Sequence, residues 1–366
     1  MTTDRILLTT DAVGGVWTYS VDLAGALARS GTEVVLVTLG PAPNPAQRAA
    51  VERIAGVTLV ACDAPLDWLA PGPSAVREGG NRIAALAAEH RVGVVQLHAP
   101  ALCAGVAFPV PVVAVVHSCL ATWWDAIETS ALPDDFAWRN ALTRSGMIAA
   151  DAVVAPSLAL AEALQRVHHL PFTPRVVHNG RAAHTRRPGP LADHAFTAGR
   201  LWDRGKDVVT LDRAAALADV PIVAAGPATA PDGATIGFEA LAWRGVLDPA
   251  ELVAELSSRP VYASAALYEP FGLAVLEAAQ AGCALVLSDI ATFRELWDGV
   301  ATFVEPRDAA GFGSAIAALL ADPVARSARG KAARRRAARY SDDAMAAGMR
   351  AIYATLAGGA GGRVAA

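Results

Sequence analysis

Cysteine is scarce in this chain and scattered. Cys62, Cys103, Cys119 and Cys283 form no C-x-x-C pair, so spacing gives no support for zinc binding or a redox dithiol. Reduced thiols of a cytoplasmic protein are the expectation. Long apolar runs are missing too. The most apolar region, Val92 to Val116, holds Gln96 and His98 and is broken by Pro100, Pro109 and Pro111. A membrane span needs about 20 uninterrupted apolar residues, so this region reads as two buried strands with a helix between. The first residues lack a signal-peptide layout. Positive charge is not in excess: the formal net charge is −4, which removes the electrostatic case for a nucleic-acid partner. G-x-G-x-x-G is absent, and with it the dinucleotide fingerprint. Asp-x-Asp is absent as well.

What is present describes a packed protein. Hydrophobic residues make up 54% and charged residues 18% of 366 residues, more than one core usually serves, so two domains are expected. Arg5 to Thr10 reads as a strand, Asp11 to Trp17 as a glycine turn, Thr18 to Arg29 as a helix and Glu33 to Leu39 as a strand. This is the opening of a doubly wound α/β domain. Further strands are expected at 57–61, 94–97, 112–116, 152–156 and 175–177. Helices are expected at 74–90, with Ser74 as N-cap, and at 158–167. Residues 117–137 read as a long irregular segment. After a linker at 181–195 the rhythm restarts. Strands are expected at 196–199, 221–224, 235–241, 261–263, 284–287 and 301–304, and helices at 207–216 and 249–257. Helices at 311–321, 323–340 and 342–356 end the chain, and the glycine-rich tail after them is expected to be disordered.

The most telling stretch runs from Ser264 to Glu277, where Glu269 and Glu277 flank seven residues. Pro270, Phe271 and Gly272 read as a helix opening, followed by a short apolar helix ending near Gly282. Free amides at a helix start attract phosphate, and carboxylates accept hydrogen bonds from sugar hydroxyls. Ordinary roles compete: Glu269 as an N-terminal carboxylate for that helix, Glu277 as a surface helix residue. Arg200 and Lys206 follow a strand ending in Gly199, and two cations on one such loop suit a diphosphate, or are simply solvated. Gly14 and Gly15 follow the first strand, where bare backbone can meet a ligand or merely turn. His117 ends a buried strand, a ligand position in α/β domains and equally a place for a structural histidine. Trp123, Trp124 and Asp125 suit stacking and hydrogen bonding to a sugar, or the packing of a long connection. The basic helix from Lys331 to Arg339 reads as a solvated face, with peripheral contact to acidic lipid as the lesser alternative.

EPFGLAVLE at 269–277 resembles the E-x7-E motif of retaining GT-B glycosyltransferases of family 4 (glycosyltransferase group 1). DAVGGVWTY, the VVH strand end at His117, the HNG turn, AGRLWDRGK at 198–206 and SDIATFRELWDG extend the likeness over nearly the whole chain. The resemblance implies two Rossmann-like α/β domains facing a central cleft: an acceptor-binding domain at 1–180 and a nucleotide-sugar-binding domain at 196–340. A helix at 341–358 would return to the first domain, and 359–366 would be the tail. It implies that Glu277 binds the donor ribose and Glu269 the transferred sugar, with Gly15, Phe271, Gly272 and Leu273 also on the donor. Arg200 and Lys206 would hold the phosphates and stabilise the leaving nucleoside diphosphate, which makes a metal unnecessary, so no metal or other cofactor is expected. Gly14, Gly15, His117, Trp123, Trp124 and Asp125 would face the acceptor, with His117 near the reacting groups. The activity implied is transfer of a sugar from a UDP- or GDP-linked donor to a carbohydrate, lipid-linked or small-molecule hydroxyl, with retention. A non-hydrolysing sugar-nucleotide epimerase and a catalytically silent sugar-nucleotide-binding subunit remain as alternatives.

Overall fold

The computed structural model describes residues 4–183 and 189–359, with backbone only for 358 and 359. Part of the expected linker, 184–188, and the tail from 360 onward lie outside the described residues. Contacts divide the chain into two units, one running to Gly180 and resuming at Asp342, the other spanning Arg181–Ser341.

The first unit carries seven parallel strands: β1 (Arg5–Asp11), β2 (Glu33–Leu39), β3 (Val57–Ala61), β4 (Val94–Leu97), β5 (Val112–Val115), β6 (Ala152–Ala155) and β7 (Arg175–Val176). Their order is β3-β2-β1-β4-β5-β6-β7. Helices α1 (Gly15–Arg29), α2 (Pro45–Glu52), α3 (Pro73–Glu89), α4 (Leu120–Ile127), α5 (Ala137–Ala149) and α6 (Leu158–His168) connect them. Apolar residues on both faces of the inner strands β1, β2, β4, β5 and β6 force helices onto both faces of the sheet. In β1, Ile6 and Leu8 pack toward α1, while Leu7 packs with Ile83 of α3 on the other side. The direction of winding reverses between β1 and β4. Such a switch point is where doubly wound sheets hold their ligands, at the carboxyl ends of the strands.

The second unit repeats the plan with β8 (Ala195–Ala198), β9 (Ile222–Ala225), β10 (Ala242–Trp243), β11 (Val261–Ser264), β12 (Ala284–Ser288) and β13 (Thr302–Val304). The order is β10-β9-β8-β11-β12-β13, all parallel. Its switch point lies between β8 and β11. Helices α7 (Val208–Ala218), α8 (Pro249–Ser257), α9 (Leu273–Ala281), α10 (Ala291–Trp297), α11 (Ala309–Ala321) and α12 (Pro323–Ala337) cover it. The last helix, α13 (Asp342–Gly359), belongs to the first unit. Its Met345, Met349, Ile352 and Tyr353 join the core that holds Tyr19, Leu23 and Leu27 of α1.

Several local expectations are corrected. The irregular segment after His117 contains α4, whose N-cap is Cys119: its sulfur accepts from Thr122 N–H, a cap no standard residue announces. Helix α3 begins at Pro73 with Gly72 as N-cap, so Ser74 lies inside it. The stretch expected as a strand at 235–241 forms none. The Asp212 carboxylate accepts the amides of Glu239, Ala240 and Leu241 at 2.8–3.1 Å, and only Ala242–Trp243 reaches the sheet. Pro270 stands outside α9, because Gly272 takes a left-handed φ of 90° and delays the helix to Leu273. Helices α2, α5 and α10 are not legible in the sequence: α2 and α10 span only eight and seven residues, and α5 mixes two arginines and an asparagine into AWRNALTRSGMIA.

Candidate active site

The second unit brings Arg200, Asp203, Lys206 and Glu269 to the loops at its switch point. Gly199 follows β8 and Gly226 follows β9, and their backbones lie close together: a Cβ on Gly226 would lie 1.8 Å from the Gly199 carbonyl oxygen. That close approach, with φ of 134° at Gly226, requires glycine. The chain then turns through Arg200–Lys206. Asp203, buried, accepts Gly205 N–H at 2.9 Å and the Arg200 guanidinium at 2.9 Å. The Gly205 carbonyl in turn accepts the amides of Leu267 and Tyr268 at 2.9 and 3.2 Å. Those bonds pin the loop after β8 to the loop after β11.

The pinning brings Lys206 to Glu269. Their Nζ–Oε2 distance is 2.5 Å, and the side chains are 21% and 15% exposed. Residues 63 apart in sequence thus form a compact pair beside Gly272. A Cβ at Gly272 would come within 3.3 Å of the Glu269 Cγ and the Phe293 ring, so the bare backbone lets the carboxylate lie close to the start of α9. Arg200 points elsewhere; its side chain is 60% exposed and its guanidinium lies 5.7 Å from the Trp202 ring centre. Phe271 is buried and meets Tyr340 edge-on at 5.7 Å.

Glu277 is not an idle surface residue. It forms an ion pair with Arg181, and both side chains are 16% exposed. The Arg181 backbone is tied down by Gln280 Nε2, which donates to its carbonyl at 3.0 Å, and by its own N–H bond to Tyr340 O at 3.1 Å. In the sequence Arg181 falls in the expected linker, and the signal for it is an Arg directly after the His178-Asn-Gly180 turn. Tyr262, buried beneath, has its phenol pushed well up by burial, with Glu277 and Glu269 adding to the effect.

In the first unit, Gly14 (φ 89°) precedes Gly15, the first residue of α1, and among the described residues no side chain caps that helix. Both glycines are exposed. His117 follows β5 and sits among rings: Tyr19 lies 4.4 Å and His98 5.0 Å from it, centre to centre, both edge-on. Burial lowers the His117 pKa to about 4, so the ring is neutral at ordinary pH. Its Nε2 is buried without a hydrogen-bond partner among the described residues. Trp123 and Trp124 are half-buried on α4, and Trp124 Nε1 donates to Ser130 O at 2.8 Å. The Asp125 carboxylate receives both Arg166 terminal nitrogens at 3.0 and 2.9 Å, a fork that ties α4 to α6.

The basic helix α12 is partly structural. Arg326 is buried and donates to Arg259 O; Arg336 donates to Leu296 O and Asp298 O at 2.8 and 3.0 Å. Lys331, Arg334, Arg335 and Arg339 are exposed. Among the described residues no helix is long and apolar enough to cross a membrane, and no group of three or more His, Cys, Asp or Glu side chains is disposed to hold a metal ion.

Comparison with known proteins adds three findings. Residues 13–182 match the family model described as Glycosyltransferase Family 4, and residues 239–336 the one described as Glycosyl transferases group 1. Glycogen synthase of Mycobacterium tuberculosis, in two strains, is 44% identical over 94 residues, which is 25% of this chain and 23% of that protein; the match thus spans about a quarter of those relatives. Among solved structures, sucrose-phosphate synthase from Thermosynechococcus elongatus superposes with a TM-score of 0.78 at 20% identity, over 96% of this chain and 99% of that one. The HepE protein of Anabaena, solved with UDP and glucose, gives 0.72 at 16% identity, over 97% and 100%. Identities this low speak for the fold alone.

Proposed function

We propose that this chain, which belongs to the family 4 (group 1) glycosyltransferases of GT-B fold, moves a sugar from a UDP- or GDP-linked donor to an acceptor hydroxyl with retention at the anomeric carbon. The observation that carries the proposal is the Lys206–Glu269 pair at the switch point of the second unit, beside the left-handed Gly272. When a sugar diphosphate arrives, the Lys206 ammonium exchanges its carboxylate partner for phosphate oxygens. Glu269 is then released to accept hydrogen bonds from the sugar hydroxyls. Arg200, exposed on the same loop, closes on the diphosphate as a planar fork. Cations aimed at the leaving diphosphate stabilise the charge that develops as the glycosidic bond breaks. Amides at the start of α9, which no side chain among the described residues caps, face the same group.

Glu277 takes the ribose hydroxyls, with Arg181 holding its carboxylate in place and balancing its charge. In the first unit, Gly14, Gly15 and His117 serve the acceptor side, and the unpaired Nε2 of His117 finds its partner in a bound sugar hydroxyl. Trp123 and Trp124 offer stacking faces, whereas Asp125 acts through its fork with Arg166 to set α4. The acceptor proton passes to a donor phosphate oxygen, and no protein nucleophile takes part.

The test is a panel of UDP- and GDP-sugars, followed for release of free nucleoside diphosphate with and without carbohydrate acceptors. The anomeric configuration of any product is read by NMR. A preferred donor that releases diphosphate and yields a product of unchanged configuration is expected. Interconversion of donors without release would make the chain an epimerase, binding without turnover a silent subunit, and an inverted product would remove retention.

A further inference from the structure

In the first unit the buried polar side chains of Ser20, Gln96 and two tyrosines, Tyr19 and Tyr353, surround the partly buried His98. Gln96, on the central strand β4, is wholly buried. Its amide receives the Tyr353 hydroxyl from α13 on Oε1. Its Nε2 lies 2.6 Å from His98 Nε2, and Tyr19 also hydrogen-bonds this amide. The other His98 nitrogen, Nδ1, lies 3.0 Å from Ser20 Oγ on α1. Ser20 Oγ in turn lies 2.7 Å from the Val16 carbonyl, in the first turn after Gly14 and Gly15.

Ser20 has one hydroxyl proton, and its contact with the Val16 carbonyl, 2.7 Å against 3.0 Å to His98 Nδ1, assigns that proton to Val16 O. Ser20 Oγ is then the acceptor for His98, and Nδ1 carries the hydrogen. Burial lowers the His98 pKa well below its ordinary value, and neighbouring His117 adds to this, so the ring holds a single proton. Nε2 is therefore an acceptor, Gln96 must present its N–H₂, and its Oε1 is left to accept from Tyr353. The titratable groups facing His98 are His117 beyond β5, Tyr19 of α1 and, through Gln96, Tyr353 of α13.

We infer that Tyr353, Gln96 and Ser20 hold His98 as one neutral tautomer, protonated on Nδ1, and that this fixed ring is a positioning residue for His117, which packs edge-on against it. A ring held at both nitrogens cannot rotate or flip, so the wall against which His117 rests is rigid. The same chain fixes the first turn of α1 through Val16. Residues 257 apart in sequence, Gln96 and Tyr353, thereby place the last helix in register with the loops after β1 and β5. The tautomer is independent of the proposed transferase reading; only the effect on turnover rests on it.

Long-range nitrogen–proton NMR of the histidine rings tests the inference on the full chain. His98 should show the Nδ1–H pattern and no titration through the histidine range. An Nε2–H pattern in the unaltered protein would overturn it. In Gln96→Glu an ionised carboxylate can only accept, which draws a second proton onto His98 Nε2; its ring nitrogens should then move to imidazolium positions and the His117 signals should shift with them. If Gln96→Glu does not fold, Ser20→Ala removes the acceptor of Nδ1–H, and His98 should then populate both tautomers. Turnover of a preferred sugar nucleotide should lose about ten- to hundredfold in kcat in Gln96→Glu, with donor KM little changed, and should gain a new ionisation in its pH profile. His117 signals and kcat both unmoved by a protonated His98 would refute the positioning role. A chain that turns over no sugar nucleotide would refute the transferase reading instead, with the ring spectra still deciding the relay.

Discussion

Replacing Glu277 with Ala separates a structural from a ligand-binding role. The carboxylate is paired with Arg181, and each side chain is 16% exposed. Removing one partner of a fully buried pair costs about 3–5 kcal/mol. Here water reaches both groups in part and Arg181 keeps its backbone ties, so about 2 kcal/mol is expected. For a unit of this size that is roughly 4–8 °C in the melting transition of the second unit, read by differential scanning calorimetry. If Glu277 also accepts the ribose hydroxyls, the variant forfeits hydrogen bonds to a charged group worth about 1.5–3 kcal/mol, or about ten- to hundredfold in donor Kd. Titration calorimetry with UDP and GDP measures that directly at a temperature where the variant is folded. Arg181→Ala supplies the control: it strands Glu277 and should cost similar stability, and the double variant should cost less than the sum of the two. A Glu277→Ala protein that melts lower yet binds both nucleotides as tightly as the unaltered chain would refute the ribose assignment. An additive double variant would refute the pair.

Three further outcomes follow from the geometry. Lys206→Ala should lower kcat by about 10²–10³ through loss of charge stabilisation at the leaving diphosphate, while Lys206→Arg should retain part of it; steady-state rates with a preferred donor decide. Gly226→Ala cannot be accommodated, since its Cβ would lie 1.8 Å from the Gly199 oxygen at a φ that only glycine takes readily. It should cost more than about 4 kcal/mol or prevent folding of the second unit, seen as loss of its melting transition with that of the first unit retained. Burial lowers the pKa of both His117 and His168 to about 4. Between about pH 6.5 and about pH 4 the unfolded chain therefore binds protons that the folded first unit refuses, and stability falls as pH falls through that window. Denaturant melts at a series of pH values should show this loss, and His168→Gln should shallow it; an unchanged slope would remove His168 as a contributor.

Much of the molecule is legible in its sequence, for identifiable reasons. Buried parallel strands are short continuous apolar runs, so VVQL, VVAV and AVVA stand out without any knowledge of their partners. Glycine and proline mark the turns, and helices α6, α8 and α9 lie close to where their caps and periods put them. Elements whose signal is spread or polar escape: α5 carries two arginines and an asparagine in its thirteen residues, and α4 is capped by a sulfur. The E-x7-E stretch and the cations after β8 are likewise visible as residues, because their chemistry is carried by side-chain type.

What a linear chain cannot display is pairing. Nothing local to Lys206 indicates that its ammonium meets Glu269, or that Arg181, at the edge of a linker, neutralises Glu277. Those contacts depend on the order of strands at the switch point, which is set by how two layers of helices cover one sheet. Gln96 and His98 looked in sequence like mere interruptions of an apolar run; the fold makes them the middle of a relay between α13 and α1. Sequence alone determined the alternation of elements and the kinds of chemical groups available. Tertiary structure decided which of those groups touch, because a buried charge or amide is stable only with a partner, and in a doubly wound sheet the partners come from distant strands.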